Sequence, residues 1–391
     1  MHITRLALEN FRIYPELQIE FSQGLTIIVG PNASGKTSLL EAIHLLATTK
    51  SQRTHTDRQL VRYDAPHSRV QGRFVSCDSQ AADISVFLPG ESQPDNGAIA
   101  AGESTRITKE VKVDGIQIES VAQIIGRVAV VIFSSEDLSI VKGSPGHRRR
   151  FLNVAIAQLR PRYLDDVQRY RRALGQRNEL LKSIRRGAPR SDLQPWNRQL
   201  IEAAAAIAGD RQEFLETLNE AANLVHADFT AHGETLVLSY DGDLAGLDDT
   251  DERSRRFEQL LSDGEQRDVD YGYTAVGPHR DDFSILVNGV SLRSYGSQGQ
   301  QRTAALSLKL SQADVVTAWR GEPPLVLLDD CLSELDDRRS CRVLEMAECL
   351  GGLIITSPVL SDVLAARADA DFFRVQDGRI ERMASQAAAV Q

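Results

Sequence analysis

Apolar residues along this chain recur with two different periods. Near the N-terminus the period is two: "HITRLAL", "LQIEF" and "LTIIV" read as short strands, and Leu17, Ile19 and Phe21 alternate with polar neighbours. From Ser34 the spacing lengthens, and Leu39, Leu40, Ile43, Leu46 and Ala47 fall on one face of a helix. Strand texture returns in "RVQGRFV", "ADISVFLP", "TKEVKVDG" and "RVAVVIF". Between them lies "GESQPDNGAIAAGEST", whose Gly, Pro, Ser and Asn content predicts a mobile hairpin loop.

Around residue 147 the period changes again. Tyr163, Val167, Tyr170, Leu174, Leu181 and Ile184 follow the three-and-four spacing of a helix seam, interrupted by Arg177. "RRGAPRS" breaks that helix, and Trp196, Leu200, Ala203, Ile207, Phe214, Leu218, Ala221 and Val225 mark a second seam. Two helices of about 25–35 residues make an antiparallel arm about 40–50 Å long; a four-helix-bundle fragment has the same pattern. "TLVLSY" and "FSILVNG" read as strands, followed by a helix from about Gln300 to Ala318, and "PLVLL", "GGLIIT" and "FFRVQDGRI" supply late strands. The final "ASQAAAVQ" reads as a frayed end. The division expected is an α/β head built from residues 1–147 and 270–391, with a mostly helical insertion at 148–269.

Composition narrows the class. A chain of 391 residues buries a large core. It has no apolar run long enough for a membrane span and no signal pattern at its start, so the expected location is cytoplasmic. Cys77, Cys331, Cys341 and Cys349 show no CxxC pairing and read as reduced thiols. The net charge of −9 speaks against a protein that coats nucleic acid indiscriminately. Charge is uneven, however: residues 160–200 hold eleven Lys/Arg against four Asp/Glu, while acids gather in "DGDLAGLDDTDE". Arg148, Arg149, Arg150, Arg169, Arg171, Arg172, Lys182, Arg185 and Arg186 could line a basic groove, although solvated helix faces routinely carry such charges.

The first chemistry-bearing stretch is "GPNASGKT", Gly30 to Thr37, which fits G-x-x-x-x-G-K-[ST] between a strand and a helix. Gly30, Pro31, Asn32, Ala33, Ser34 and Gly35 would form a backbone cradle for phosphate oxygens, helped by the positive end of the helix. Lys36 would point a charge toward the β- and γ-phosphates, and the Thr37 hydroxyl would ligate Mg2+. The strand–loop–helix order favours this over a plain Gly-rich turn.

In "PLVLLDDCLSELD", four apolar residues run into Asp329 and Asp330. Asp329 suits a Mg2+ ligand at a strand's end, and Asp330 a general base for an attacking water. Neighbouring strand residues face opposite ways, but the strand ends here, so both can reach one site.

"GSQGQQR", 296–302, is a polar turn opening a helix, a second anion-binding N-terminus. One phosphate loop already holds a nucleotide, so a second such site makes sense facing the nucleotide of another copy. The stretch resembles the L-S-G-G-Q-Q-R signature of ABC-type ATPases. That resemblance implies that Ser297, Gln298, Gly299 and Gln300 close over a partner's γ-phosphate; an ordinary helix N-cap is the alternative for Ser297. "SELD", Ser333 to Asp336, is similar to that family's D-loop, whereas Thr356 and Ser357 stand where transporters place a switch histidine.

Longer stretches narrow the resemblance. "LENFRIY", "PNASGKTSLLEAIHLLATTKSQRT", "FSSEDLSIVKGSPGHRRRFLN" and "GYTAVGPHRDDF" are similar to signature stretches of the RecF family of bacterial recombination mediators. The likeness spans the chain. Ser135 stands where that family usually has proline and Asn153 where it has aspartate. A kinase reading of "HRDD" fails for want of the other kinase motifs.

The resemblance implies an ABC-type P-loop head of the SMC/Rad50-like group with an inserted helical arm, using ATP and Mg2+. It implies an ATP-dependent homodimer that clamps gapped or junction DNA without sequence preference, with weak, DNA-stimulated ATP hydrolysis resetting it. RecO and RecR would be partners in loading RecA, within DNA repair, recombination, replication and the SOS response. Arg12 would touch nucleotide phosphates or be an ordinary surface arginine. The rivals are an SMC/Rad50-type structural head, which needs longer coiled coils, and a transporter ATPase subunit.

Overall fold

The computed structural model describes residues 1–54, 56–90, 109–118, 123–230, 233–348 and 351–383. All of the expected hairpin loop but Gly90, the expected frayed tail and Cys349 lie outside the described residues. The chain divides into two compact units, residues 1–135 with 316–391, and residues 136–315.

The first unit contains two sheets. One is antiparallel and runs β2-β1-β4-β5-β6-β7, from β1 (His2–Phe11), β2 (Tyr14–Glu20), β4 (His67–Val75), β5 (Ala81–Pro89), β6 (Glu110–Val113) and β7 (Ile116–Gln117). The other runs β15-β14-β3-β13-β12-β8, from β3 (Leu25–Val29), β8 (Val130–Ser134), β12 (Leu325–Asp329), β13 (Leu353–Ser357), β14 (Asp371–Gln376) and β15 (Arg379–Arg382). Its pairs are parallel except at β15. β12 and β13 are buried along their whole length, as continuous apolar runs covered on both faces should be.

Helix α1 (Lys36–Thr48) touches strands of both sheets, and only Thr37 along it escapes burial. The polar residues on such a helix must find partners inside. Glu41 does so with Arg12 and Ser51, and Thr48 returns its hydroxyl to the His44 carbonyl at 2.8 Å. Helices α10 (Asp337–Glu348) and α11 (Asp362–Ala365) complete this unit.

The second unit is mainly helical: α2 (Leu138–Lys142), α3 (Pro145–Leu159), α4 (Pro161–Ile184), α5 (Gln194–Phe229), α6 (Thr250–Asp263), α7 (Glu265–Tyr271) and α8 (Leu292–Tyr295). A small sheet, β11-β10-β9, joins them, from β9 (Leu236–Asp241), β10 (Asp282–Val287) and β11 (Val290–Ser291). Helix α9 (Gln298–Arg320) begins here. Helices α4 and α5 pack on each other along the two expected seams, and α5, with 36 residues, is about 54 Å long. Residues 270–315, grouped with the head on sequence texture, fall within this second unit.

The interruption in the α4 seam has a physical cause. Arg177 is fully buried, donating to Asp268 at 2.8 Å, Thr274 at 2.6 Å and Asn197 at 2.8 Å. The two long family-like stretches serve the same interior. Arg211 donates to Asp281 at 3.1 Å, Tyr240 also donates to Asp281, and Tyr170 meets His279 at 2.7 Å. Arg148 is a correction to the basic-groove expectation: it is buried, and donates to Asp282 at 2.8 Å and to the Gly143 carbonyl at 3.0 Å.

Candidate functional site

Strand β3 feeds the loop of residues 30–35 straight into α1. Two contacts fix where the loop starts. Gly30 N–H donates to the Ser357 carbonyl at 3.2 Å, and a Cβ at Gly30 would sit 2.2 Å from the Val375 carbonyl oxygen. Gly35 closes the loop with φ 111°, and a Cβ there would meet the Tyr14 hydroxyl at 2.5 Å. A side chain is therefore excluded at both ends, by packing and, at Gly35, by backbone conformation as well.

Inside the loop, the buried Lys36 turns its Nζ onto the Gly30 carbonyl at 2.9 Å and the Pro31 carbonyl at 3.2 Å. It also lies 3.6 Å from Asp330 Oδ2. The Ser34 hydroxyl is buried with no hydrogen-bond partner. An orphaned donor inside a curled, glycine-bounded loop fits an anionic oxygen that completes it. Pro31, Asn32 and Ala33 are exposed, and Ala33 takes a left-handed φ of 65°.

Strand β12 delivers the carboxylates. Asp329 is buried; Thr37 donates to its Oδ1 at 3.1 Å and Thr356 to the same oxygen at 2.8 Å. Burial raises the Asp329 pKa and neighbouring Asp330 adds to the rise, while the two hydroxyls and Lys36 oppose it. A carboxylate so desolvated fits a bound cation. Thr37 and Asp329 offer hard oxygen donors of the kind Mg2+ takes alongside phosphates and water. Among the described residues no group of three or more His, Cys, Asp or Glu could hold a metal ion without such added ligands.

Asp330 answers the question of facing. Its φ is 51°, a left-handed turn that ends the strand and breaks the up–down alternation. Its N–H donates to the Thr356 hydroxyl oxygen at 3.0 Å, and its half-exposed carboxylate faces Lys36. Thr356 was noted in the sequence only as standing in place of a switch histidine and Tyr14 only as the end of "LENFRIY"; their contacts with Asp329 and Gly35 depend on a fold that spacing does not encode.

Arg12 is engaged within its own unit. It grips Glu41 with two donors at 2.7 and 2.9 Å and donates to the Gln59 carbonyl at 2.8 Å. The signature turn lies in the second unit, with Ser297, Gln298 and Gly299 exposed and Gln300 half-buried. Ser297 N–H donates to Gln300 Oε1 at 3.0 Å and Gln300 N–H to Ser297 Oγ at 3.2 Å, a reciprocal capping box opening α9. A Cβ at Gly299 would meet only Ser297 Oγ, at 4.0 Å, so packing within the chain does not require glycine there. In the D-loop-like stretch, Ser333 donates to the Asp330 carbonyl at 2.7 Å and Asp336 caps α10 through Arg339 N–H at 2.9 Å.

Comparison with known proteins agrees with this arrangement. A family model described as an AAA domain matches residues 5–220. The DNA replication and repair protein RecF of Lysinibacillus sphaericus (strain C3-41) is 36% identical over 388 residues, covering 98% of this chain and 100% of that protein. Its namesake in Staphylococcus aureus (strain JH9) is 36% identical over 386 residues, covering 97% and 100%. A solved structure of the recombination mediator protein RecF-ATP in the RecFOR pathway superposes with a TM-score of 0.87 at 33% identity, covering 98% of each chain. An Smc head domain from Pyrococcus furiosus has a TM-score of 0.54 at 16% identity, which is a likeness of fold alone.

Proposed function

The chain belongs to the RecF family, with the ABC-type P-loop ATPase head that this implies, and on that premise we propose an ATP-driven switch that grips DNA during replication and repair. ATP occupies the loop from Gly30 to Thr37, with Lys36 and the Ser34 hydroxyl directed at its phosphates. Thr37 and Asp329 would hold Mg2+, which would supply charge neutralisation at the phosphates. Asp330 orients the attacking water as general base. Arg12 reaches a phosphate only by releasing Glu41, so it acts first as an anchor of α1. The division into head and inserted arm expected from sequence, 1–147, 148–269 and 270–391, differs from the compact units, which fall at 1–135 with 316–391 and at 136–315.

The observation that carries the reading is a pair of half-sites on one chain: a buried phosphate cradle in one unit and an outward-facing signature turn in the other. Gly299 has open space around it, as a residue needs when a phosphate must come close to its backbone. A second copy supplies that phosphate, and ATP therefore joins two chains. Exposed Arg171, Arg172, Arg185 and Arg186 would then meet the backbone of gapped or junction DNA without reading bases. RecO and RecR are the partners proposed from the family, acting in the cytoplasm ahead of RecA loading.

Sedimentation velocity with and without ATP tests the core of this. The expected result is a monomer without nucleotide and a dimer with it. An ATP-saturated monomer at high protein concentration would remove the proposal.

A further inference from the structure

The signature turn is also held from outside its motif. Gln300 uses both ends of its amide: Oε1 accepts from Ser297 N–H at 3.0 Å, and Nε2 donates to Glu234 Oε1 at 2.7 Å. An amide can sit either way round, and only one orientation puts oxygen on the Ser297 N–H. A carboxylate accepts and never donates, so Glu234 selects that orientation. Ser297 meanwhile accepts Gln300 N–H on its hydroxyl oxygen at 3.2 Å, which leaves the hydroxyl proton available to donate outward.

Glu234 is itself held from behind. Its second oxygen lies 3.1 Å from Nε2 of His226, a buried residue near the end of α5. His226 Nδ1 lies 3.3 Å from the Ser307 hydroxyl on α9. Burial keeps the imidazole neutral, lowering its pKa against the opposing pull of Glu234. A neutral ring that gives Nε2–H to Glu234 keeps Nδ1 as an acceptor facing the Ser307 hydroxyl, which also lies 2.8 Å from the Thr303 carbonyl. The line Ser307–His226–Glu234–Gln300–Ser297 thus ties the arm helix to the first turn of α9.

We infer that Glu234 is a positioning residue of the signature turn: by fixing the Gln300 amide against His226, it holds Ser297 ready to donate to an incoming phosphate. The inference rests on the two-copy reading above. It adds a control point outside the motif, placed where α5 ends.

The test uses the full chain with Mg2+ and an unhydrolysable ATP analogue. Self-association is followed by sedimentation, nucleotide affinity by fluorescent ATP binding in dilute solution, and exchange of the 295–303 amides by mass spectrometry. Glu234→Leu is expected to weaken analogue-driven association about tenfold, the loss of one charge-assisted hydrogen bond. It is also expected to speed exchange at Ser297 and Gln300 while leaving dilute nucleotide affinity unchanged. Glu234→Gln is expected to restore both. Its oxygen can accept from Gln300 and its N–H can face His226, whose proton shifts to Nδ1 as Ser307 turns to the Thr303 carbonyl, 2.8 Å away.

Ser297→Arg separates the two claims. If that variant associates like the wild type, the two-copy reading fails. If it does not associate while Glu234→Leu matches the wild type in association and exchange, the role of Glu234 is overturned. Equal loss in Glu234→Gln and Glu234→Leu overturns the amide-orientation argument. Circular dichroism checks folding, and Glu234→Ala replaces Glu234→Leu if the latter does not fold.

Discussion

Thr356 donates its hydroxyl proton to Asp329 Oδ1 at 2.8 Å, and its hydroxyl oxygen accepts Asp330 N–H at 3.0 Å. One hydroxyl therefore stabilises the buried carboxylate and pins the backbone turn that aims the next one. Thr356→Val is expected to lower Mg-ATP affinity about tenfold, while Thr356→Ser stays near the wild type. Fluorescent ATP titration of both variants, with and without Mg2+, checks this. Equal loss in both would assign the effect to packing.

Asp330→Asn is expected to cut ATP hydrolysis by about 10²-fold or more and to leave ATP-bound dimers accumulating. Asparagine tolerates the left-handed φ of 51° better than most residues, so the fold should be unaffected. Turnover at the wild-type rate would take the general-base role away from Asp330.

Asp329 makes stability depend on pH in a stated direction. Its folded pKa is raised above 3.8, so between 3.8 and the raised value the folded state holds the extra proton. Stability from this group is therefore lost as pH rises through that window. Above it, Asp329→Asn is expected to make the ligand-free protein about 1 kcal/mol more stable, roughly 2 °C in Tm, while destroying the Mg2+ response. Calorimetry at pH 7 and pH 4 reads both effects, and a smaller gain at pH 4 is the signature.

Arg177 and Asp268 form an ion pair with almost no exposure at either end. Arg177→Ala leaves a buried carboxylate unpaired, and a loss of about 3–5 kcal/mol is expected in urea unfolding. The double change Arg177→Met with Asp268→Leu should cost much less. A double variant as unstable as the single one would show that Asn197 and Thr274 carry the effect.

The basic residues separate into two kinds. Arg185→Gln with Arg186→Gln is expected to leave stability unchanged and to lower the salt slope of DNA binding by about 2. Arg148→Ala should instead lower Tm, because the residue is buried against Asp282. Filter binding across a salt series, beside thermal melts, distinguishes them.

Much of this was legible in the sequence, for definable reasons. The phosphate loop, the strand entering Asp329 and the signature turn are local patterns, and local backbone chemistry fixes them. Both arm seams were legible too, because helical spacing is a direct consequence of burial. What escaped was long-range. Arg177 broke the seam in sequence because its partners, Asp268 and Thr274, lie about 90 residues and more away. Arg148 sat among arginines and read as surface, while the aspartate that buries it lies 134 residues on. Glu234 belongs to no pattern and Thr356 was noted only in place of a switch histidine; both act through hydrogen bonds that only the folded chain brings together.

Strand β3 lies between β13 and β14, and Gly30 leans on Ser357 and Val375, residues from the last tenth of the polypeptide. A ribosome completes the phosphate loop early, yet its neighbours emerge more than 300 residues later. The cradle must therefore wait for β13 and β14 before it takes its shape. A copy cut short before these two strands will lack a working loop, however much of the amino-terminal motif it contains.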